Sequence, residues 1–114
     1  MEIETTILEE SSPECDEFVR ARPGAKLCYM PAWTRMVEEV FGHRGFYLVA
    51  RQGASICGVL PLTQVRSRLF GNRMISQPFS DYGGALVTEP GALDALYDRA
   101  VRIARENHCE SIEF

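Results

Sequence analysis

The sequence predicts an α+β domain with a mixed, largely antiparallel sheet flanked by helices. Three observations lead there. The hydrophobic period is helical before Phe46 and changes to two from that residue on. The elements run β-α-α-β-β-β-α-β, an order that segregates the helices from a run of consecutive strands. The strongest helix stands between the last two strands, where it allows them to cross in parallel.

Ile3 to Leu8 is Thr/Ile-rich and alternates weakly, as a first strand does. Ser12-Pro13-Glu14 supplies an N-cap, a proline at the first helical position and an early acid; Cys15, Phe18 and Val19 form a short apolar stripe before Pro23-Gly24 stops the helix. Pro31 opens a second helix, whose Trp33, Met36, Val37, Val40 and Phe41 are spaced as one continuous buried face, and Gly42 closes it. Phe46 to Arg51 and Ser55 to Val65, rich in β-branched and aromatic residues and separated by Gln52-Gly53, read as an antiparallel hairpin. Pro61 marks a bulge or an unpaired edge position in its second arm. Arg68 to Asn72 is a turn-rich connection, Met74 to Gln77 a further strand, and Pro78 to Gly84 an irregular loop. Glu89-Pro90 leads into a helix with Leu93, Leu96, Tyr97, Ala100, Val101 and Ala104 at helical spacing, and Glu110 to Phe114 begins another strand. Its alternation runs to the final residue, so the chain is expected to be a piece of something longer.

At 114 residues, the chain has room for one core and not for two. With 46% hydrophobic and 25% charged residues, it lies outside the composition of disordered chains. Its longest apolar runs are too short to span a membrane, and Glu2 and Glu4 give the wrong charge for a signal peptide, so the expected compartment is the cytoplasm. Cys15, Cys28, Cys57 and Cys109 are widely scattered among apolar neighbours and are joined by two histidines only. They read as reduced core thiols, and no metal site is expected.

The net charge of −4 is unevenly spread. Residues 1–17 carry seven acids and no base, whereas residues 40–80 carry Arg44, Arg51, Arg66, Arg68 and Arg73 and no acid. This polarity fits a solvated surface with internal charge complementarity, or a basic rim that attracts an anionic substrate. A nucleic-acid-binding domain is disfavoured by the acidic total and by the lack of a basic stripe interleaved with aromatics.

Trp33, Phe41-Gly42-His43-Arg44, Tyr47-Leu48-Val49-Ala50, Gly58-Val59-Leu60-Pro61-Leu62, Val65-Arg66-Ser67, Leu69-Phe70-Gly71 and Ser76-Gln77-Pro78-Phe79-Ser80-Asp81-Tyr82-Gly83-Gly84 together resemble the N-terminal part of FemAB-like proteins, in the branch associated with exosortase and exopolysaccharide loci. The resemblance covers residues 27–114 and is most specific from Gly58 to Gly84. It implies a GNAT-like domain (acyl-CoA N-acyltransferase-like), the truncated N-terminal half of a two-domain enzyme. That enzyme would transfer an aminoacyl or acyl group from aminoacyl-tRNA or another activated donor to an amine, in cell-envelope or exopolysaccharide synthesis. The missing C-terminal GNAT-like domain would be its partner, and the piece alone would be inactive. The resemblance departs from the acyl-CoA pattern at the pyrophosphate loop, [RQ]-x-x-G-x-[GA]. Its nearest echo, Arg68-Leu69-Phe70-Gly71-Asn72-Arg73, ends in arginine where a small residue is required, so coenzyme A is not expected and no cofactor is assigned.

The first candidate site is Asp81-Tyr82-Gly83-Gly84. The paired glycines let backbone approach a ligand, Asp81 is the candidate base for an attacking amine, and Tyr82 offers a flat ring with a donor. Phe79 shapes the entrance to this loop. Arg66, Arg68 and Arg73 are candidate substrate contacts through forked donation to phosphate or carboxylate, against the plainer reading of exposed arginines flanking a hairpin. His43 and His108, each at a helix end, favour the helix dipole over general base catalysis, and Trp33 is assigned to the core. The rival function is a noncatalytic interaction domain that pairs with itself, as a homodimer, or with a partner through an exposed sheet edge.

Overall fold

The computed structural model describes residues 2–9, 12–22, 29–67, 71–76 and 85–113. Six strands form one sheet: β1 (Ile3–Leu8), β2 (Arg44–Gln52), β3 (Ser55–Ser67), β4 (Gly71–Ser76), β5 (Leu86–Val87) and β6 (Ser111–Glu113). Among the described residues three helices flank it: α1 (Pro13–Arg20), α2 (Pro31–Phe41) and α3 (Pro90–Glu106). The strand order is β1-β2-β3-β4-β6, with β5 also pairing β3. All pairings are antiparallel except β4 with β6, which α3 connects as a parallel crossover in register Met74↔Ile112. The mixed, largely antiparallel sheet expected from the sequence is the one observed.

Alternation divides the core into two layers. Phe46, Leu48, Ala50, Leu60, Leu62 and Met74 face α3 and meet its Ala92, Leu96, Ala100 and Ile103. Tyr47, Val49 and Val59 face the other way onto Cys15, Phe18 and Val19 of α1. Leu48, Leu60, Leu62 and Leu96 are fully buried, and each such side chain contributes about 1.5–3 kcal/mol relative to an exposed one. Gly58 keeps α3 close: a Cβ there would lie 2.9 Å from Val87 Cγ1 and 3.0 Å from Leu96 Cδ1.

The local signals act as their chemistry requires. Ser12 Oγ accepts from Cys15 N at 3.2 Å, which satisfies one of the free N–H groups at the start of α1. Gly42 ends α2 in the left-handed region at φ 71°. Gly53 takes φ 65° in the two-residue turn that pairs Gln52 with Ser55.

Four expectations are corrected. In α2 the buried side is Pro31, Thr34 and Val37, while Val40 is 65% and Phe41 46% exposed and Trp33 is half-buried. The reason is Gly45 on β2, whose missing side chain admits the Thr34 methyl and thereby sets the rotation of the helix. On α3, Ala92 and Ile103 are buried, whereas Leu93, Tyr97 and Val101 are half-buried, because small residues let the helix lie closest to the sheet. The bulge lies at Ala50/Arg51 opposite Cys57 and not at Pro61, which keeps regular register with Tyr47 on one side and, as the unpaired alternative expects, has no strand partner on the other side among the described residues. The strand expected at Met74 to Gln77 spans Gly71–Ser76 and is followed by the short β5, which lacks a pattern long enough to read. The connection at 68–70 and the loop at 78–84 lie outside the described residues.

Candidate functional site: the change of partner along β3

β3 is a long strand with two different neighbours along one side. Its C-terminal half pairs with β4 up to Leu62↔Ser76, and its N-terminal half pairs with β5 from Val59↔Leu86. β3 advances three positions between these pairs while the neighbouring path runs from Ser76 to Leu86. β3 thus changes partner from β4 to β5 within three positions. Between the two pairings, Leu60 and Pro61 have no strand partner on this side among the described residues. Pro61 has no N–H to offer, which suits a position with no ladder bond to complete on that side. Strand alternation turns the N–H and C=O of Leu60 the other way, toward Leu48 on β2.

The candidate residues fall into two groups. Asp81, Tyr82, Gly83, Gly84 and Phe79 belong to the segment between Ser76 and Leu86 and lie outside the described residues, as does Arg68. Arg66 and Arg73 stand at the other end of the β3–β4 hairpin, in register with Asn72 and Val65 respectively. Arg73 is three residues from Ser76 and Arg66 four from Leu62, about 10 and 13 Å along extended strands. Arg73 is also engaged, its Nη1 lying 3.6 Å from Glu113 Oε1 on β6. Arg66 is exposed. The hairpin thus holds these two arginines apart from the point where β3 changes partner.

α3 tests whether the coenzyme A pyrophosphate fits. A diphosphate is held where free N–H groups and the positive end of a helix dipole meet it, at a helix N-terminus. Here Glu89 is the N-cap and Pro90 the first helical residue, so a carboxylate stands at the mouth and one N–H is missing. The first turn carries no base. The sequence echo of the pyrophosphate loop is also misplaced for the purpose, because Gly71, Asn72 and Arg73 belong to β4 and lead into a strand. These residues do not fit the pyrophosphate.

Burial disfavours the thiolate form at three of the cysteines. Burial pushes Cys15, Cys57 and Cys109 above the ordinary thiol value, outweighing the partial compensation by Ser12 and Arg51 at Cys15 and by Arg66 at Cys109. Cys28 lies outside the described residues. No group of three or more His, Cys, Asp or Glu able to hold a metal occurs among the described residues, and none of the described helices is long and apolar enough to cross a membrane.

A cluster of carboxamides escaped the sequence reading. Gln64 Nε2 donates to Asn72 Oδ1 at 2.9 Å, and Asn72 Nδ2 donates to the Asn107 carbonyl at 2.9 Å and the His108 carbonyl at 3.2 Å. Asn107 Nδ2 returns to Ile103 O at 2.8 Å. Three amides far apart in sequence close the C-terminal end of α3 onto β3 and β4. No spacing signal links positions 64, 72 and 107.

No protein-family model and no curated protein sequence matches this chain. Three solved structures share its fold over nearly its whole length. A transcriptional regulator from Bacillus halodurans C-125 is 20% identical, with a TM-score of 0.62 over 96% of this chain and 80% of its own. A GNAT family acetyltransferase from Staphylococcus aureus subsp. aureus USA300_TCH1516 is 11% identical, with a TM-score of 0.62 over 99% of this chain and 85% of its own. A ribosomal-protein-alanine N-acetyltransferase from Brucella melitensis biovar Abortus 2308 is 15% identical, with a TM-score of 0.59 over 97% of this chain and 77% of its own. The helix-flanked sheet, with its antiparallel run and its parallel crossover, is the fold of the GNAT acetyltransferases.

Proposed function

We propose that this chain is the N-terminal GNAT-like domain of a FemAB-type N-acyltransferase, cytoplasmic, serving cell-envelope or exopolysaccharide synthesis. The observation that supports the reading is the change of partner along β3, from Leu62↔Ser76 to Val59↔Leu86, in a sheet that shares the fold of an acetyltransferase. The donor is an aminoacyl-tRNA or a related activated ester. The misfit of Glu89 and Pro90 to a pyrophosphate supports this choice over an acyl-CoA. In the reaction, the acceptor amine attacks the ester carbonyl, a C–N bond forms, the C–O bond breaks, and the amine proton passes to a base. Asp81 is that base, with Tyr82, Gly83, Gly84 and Phe79 contacting the substrate, and a C-terminal GNAT-like domain completes the cleft.

The test uses the intact protein with charged tRNA and, separately, with acetyl-CoA, each beside a set of amine acceptors. Transfer from the aminoacyl ester is expected, and Asp81→Ala should lower turnover by about 10²–10⁴, the range of a general base, with an unchanged unfolding midpoint. Unchanged turnover in Asp81→Ala removes that residue from the mechanism. Transfer from acetyl-CoA alone overturns the choice of donor.

A further inference from the structure

Where α3 ends, the sheet face that it covers changes from apolar to polar. Arg44 is two residues before Phe46, Gln64 two after Leu62 and Asn72 two before Met74, so alternation places all three on the α3 side. Arg44 is opposite Gln64 and Arg66 opposite Asn72, so the two arginines are diagonal neighbours on one face. Beside them, α2 ends at Phe41, and the chain turns through Gly42 and His43 into β2. Phe41, Gly42, His43, Arg44, Gln64 and Arg66 line a cavity of about 440 Å³, a size in the range of small-molecule sites.

The floor of this cavity is held in place. Gln64 is 4% exposed, and its amide nitrogen is used on Asn72 and on the Asn107 carbonyl. Arg44 is anchored by Nη1 to Asn107 Oδ1 at 3.3 Å and by stacking 4.6 Å above the Phe46 ring. One of its five N–H groups is thereby engaged, which fixes the plane of the guanidinium. Among the described residues, neither Arg44 nor Arg66 forms an ion pair; the arginines that do are Arg51 with Glu14 and Arg73 with Glu113. Two like charges on one face repel each other, and an anion between them relieves that repulsion.

We propose that the cavity between the C-terminal ends of α2 and α3 binds a phosphate-bearing small molecule of mononucleotide size, with Arg44 and Arg66 donating to the phosphate and Phe41 flanking the rest. The inference does not depend on acyl transfer, since the cavity lies at the opposite end of the β3–β4 hairpin from the point where β3 changes partner. The plainer role for the same arginines is to complement the negative end of the α3 dipole.

The two roles separate in a ¹H–¹⁵N titration of the full chain at low ionic strength with inorganic phosphate and with AMP, using potassium chloride as the ionic control. Saturable shifts are expected at the amides of Gly42 to Arg44 and Gln64 to Arg66. The affinity should fall at least about tenfold in Arg44→Gln and in Arg66→Ala, the loss expected for one charge-assisted hydrogen bond. It should hold in Arg102→Ala, on the exposed side of α3. AMP binding more tightly than phosphate assigns a contact to Phe41, and equal binding assigns recognition to the phosphate alone. No saturable shift with either probe, or equal affinity in the arginine variants, overturns the site and leaves the arginines to the helix end.

Discussion

Tyr47 shows how a single side chain couples the layer beneath α1 to pH. Its hydroxyl donates to the Tyr29 carbonyl at 2.6 Å, and burial, reinforced by Cys15 and Asp16, pushes its phenol well above the ordinary value of 10.0. The folded state therefore holds this proton more tightly than the unfolded chain, as it does the protons of Cys15, Cys57 and Cys109. Stability is full below the ordinary thiol value of 9.0 and falls as pH rises past it and then past 10.0. Urea unfolding between neutral pH and pH 11 is expected to show this decline. Tyr47→Phe should cost about 0.5–1.5 kcal/mol at neutral pH for the lost hydrogen bond and flatten the alkaline limb; an equally steep limb would assign the decline to the thiols alone. The phenol's burial follows from strand alternation, but its acceptor, eighteen residues upstream on the far side of α2 in the chain, has no mark in the sequence.

At the scale of the element, the caps and turns are local and were readable, as was the buried stripe of the short α1, whereas the rotations of α2 and α3 were not. Ser12 and Pro13 start α1 where the pattern says, and Ser12→Ala is expected to cost about 0.5–2 kcal/mol by denaturant titration, the value of an N-cap oxygen. The rotations of α2 and α3 depend on glycines in other elements: Gly45 receives Thr34, and Gly58 receives Leu96 and Ala92. Gly58→Ala should therefore destabilise by about 1–3 kcal/mol, because the added methyl meets Val87 and Leu96 within a packed layer. A variant as stable as the parent would mean that β5 and α3 shift freely. Helical spacing alone selected Val40 and Phe41 for the core of α2, since a period identifies an apolar stripe but not the surface that the stripe meets.

For the whole molecule, the cooperative centre is β2 and β3, each paired on both sides and covered on both faces, while β5 and β6 are short and pair with one neighbour among the described residues. Hydrogen exchange is expected to be slowest at Leu48, Val49 and Leu60 and fastest, among the strands, in β5 and β6; β6 amides as slow as those of β3 would place the crossover inside the cooperative core. Asn72→Ala should release the end of α3 from β3 and β4, seen as faster exchange at Asn107 and His108 and a loss of about 1–3 kcal/mol for buried partners left unpaired. By itself, the sequence determined the three helices, every strand but the two-residue β5, the α+β class and the polarity of charge, because periodicity, caps and turn residues act over a few positions. Only the tertiary structure decided that β3 changes partner from β4 to β5, that Arg66 and Arg73 stand at the far end of the hairpin from that change, and that Arg44, Gln64 and Arg66 share one cavity. These placements come from strand register and helix rotation, which are set by contacts between residues tens of positions apart.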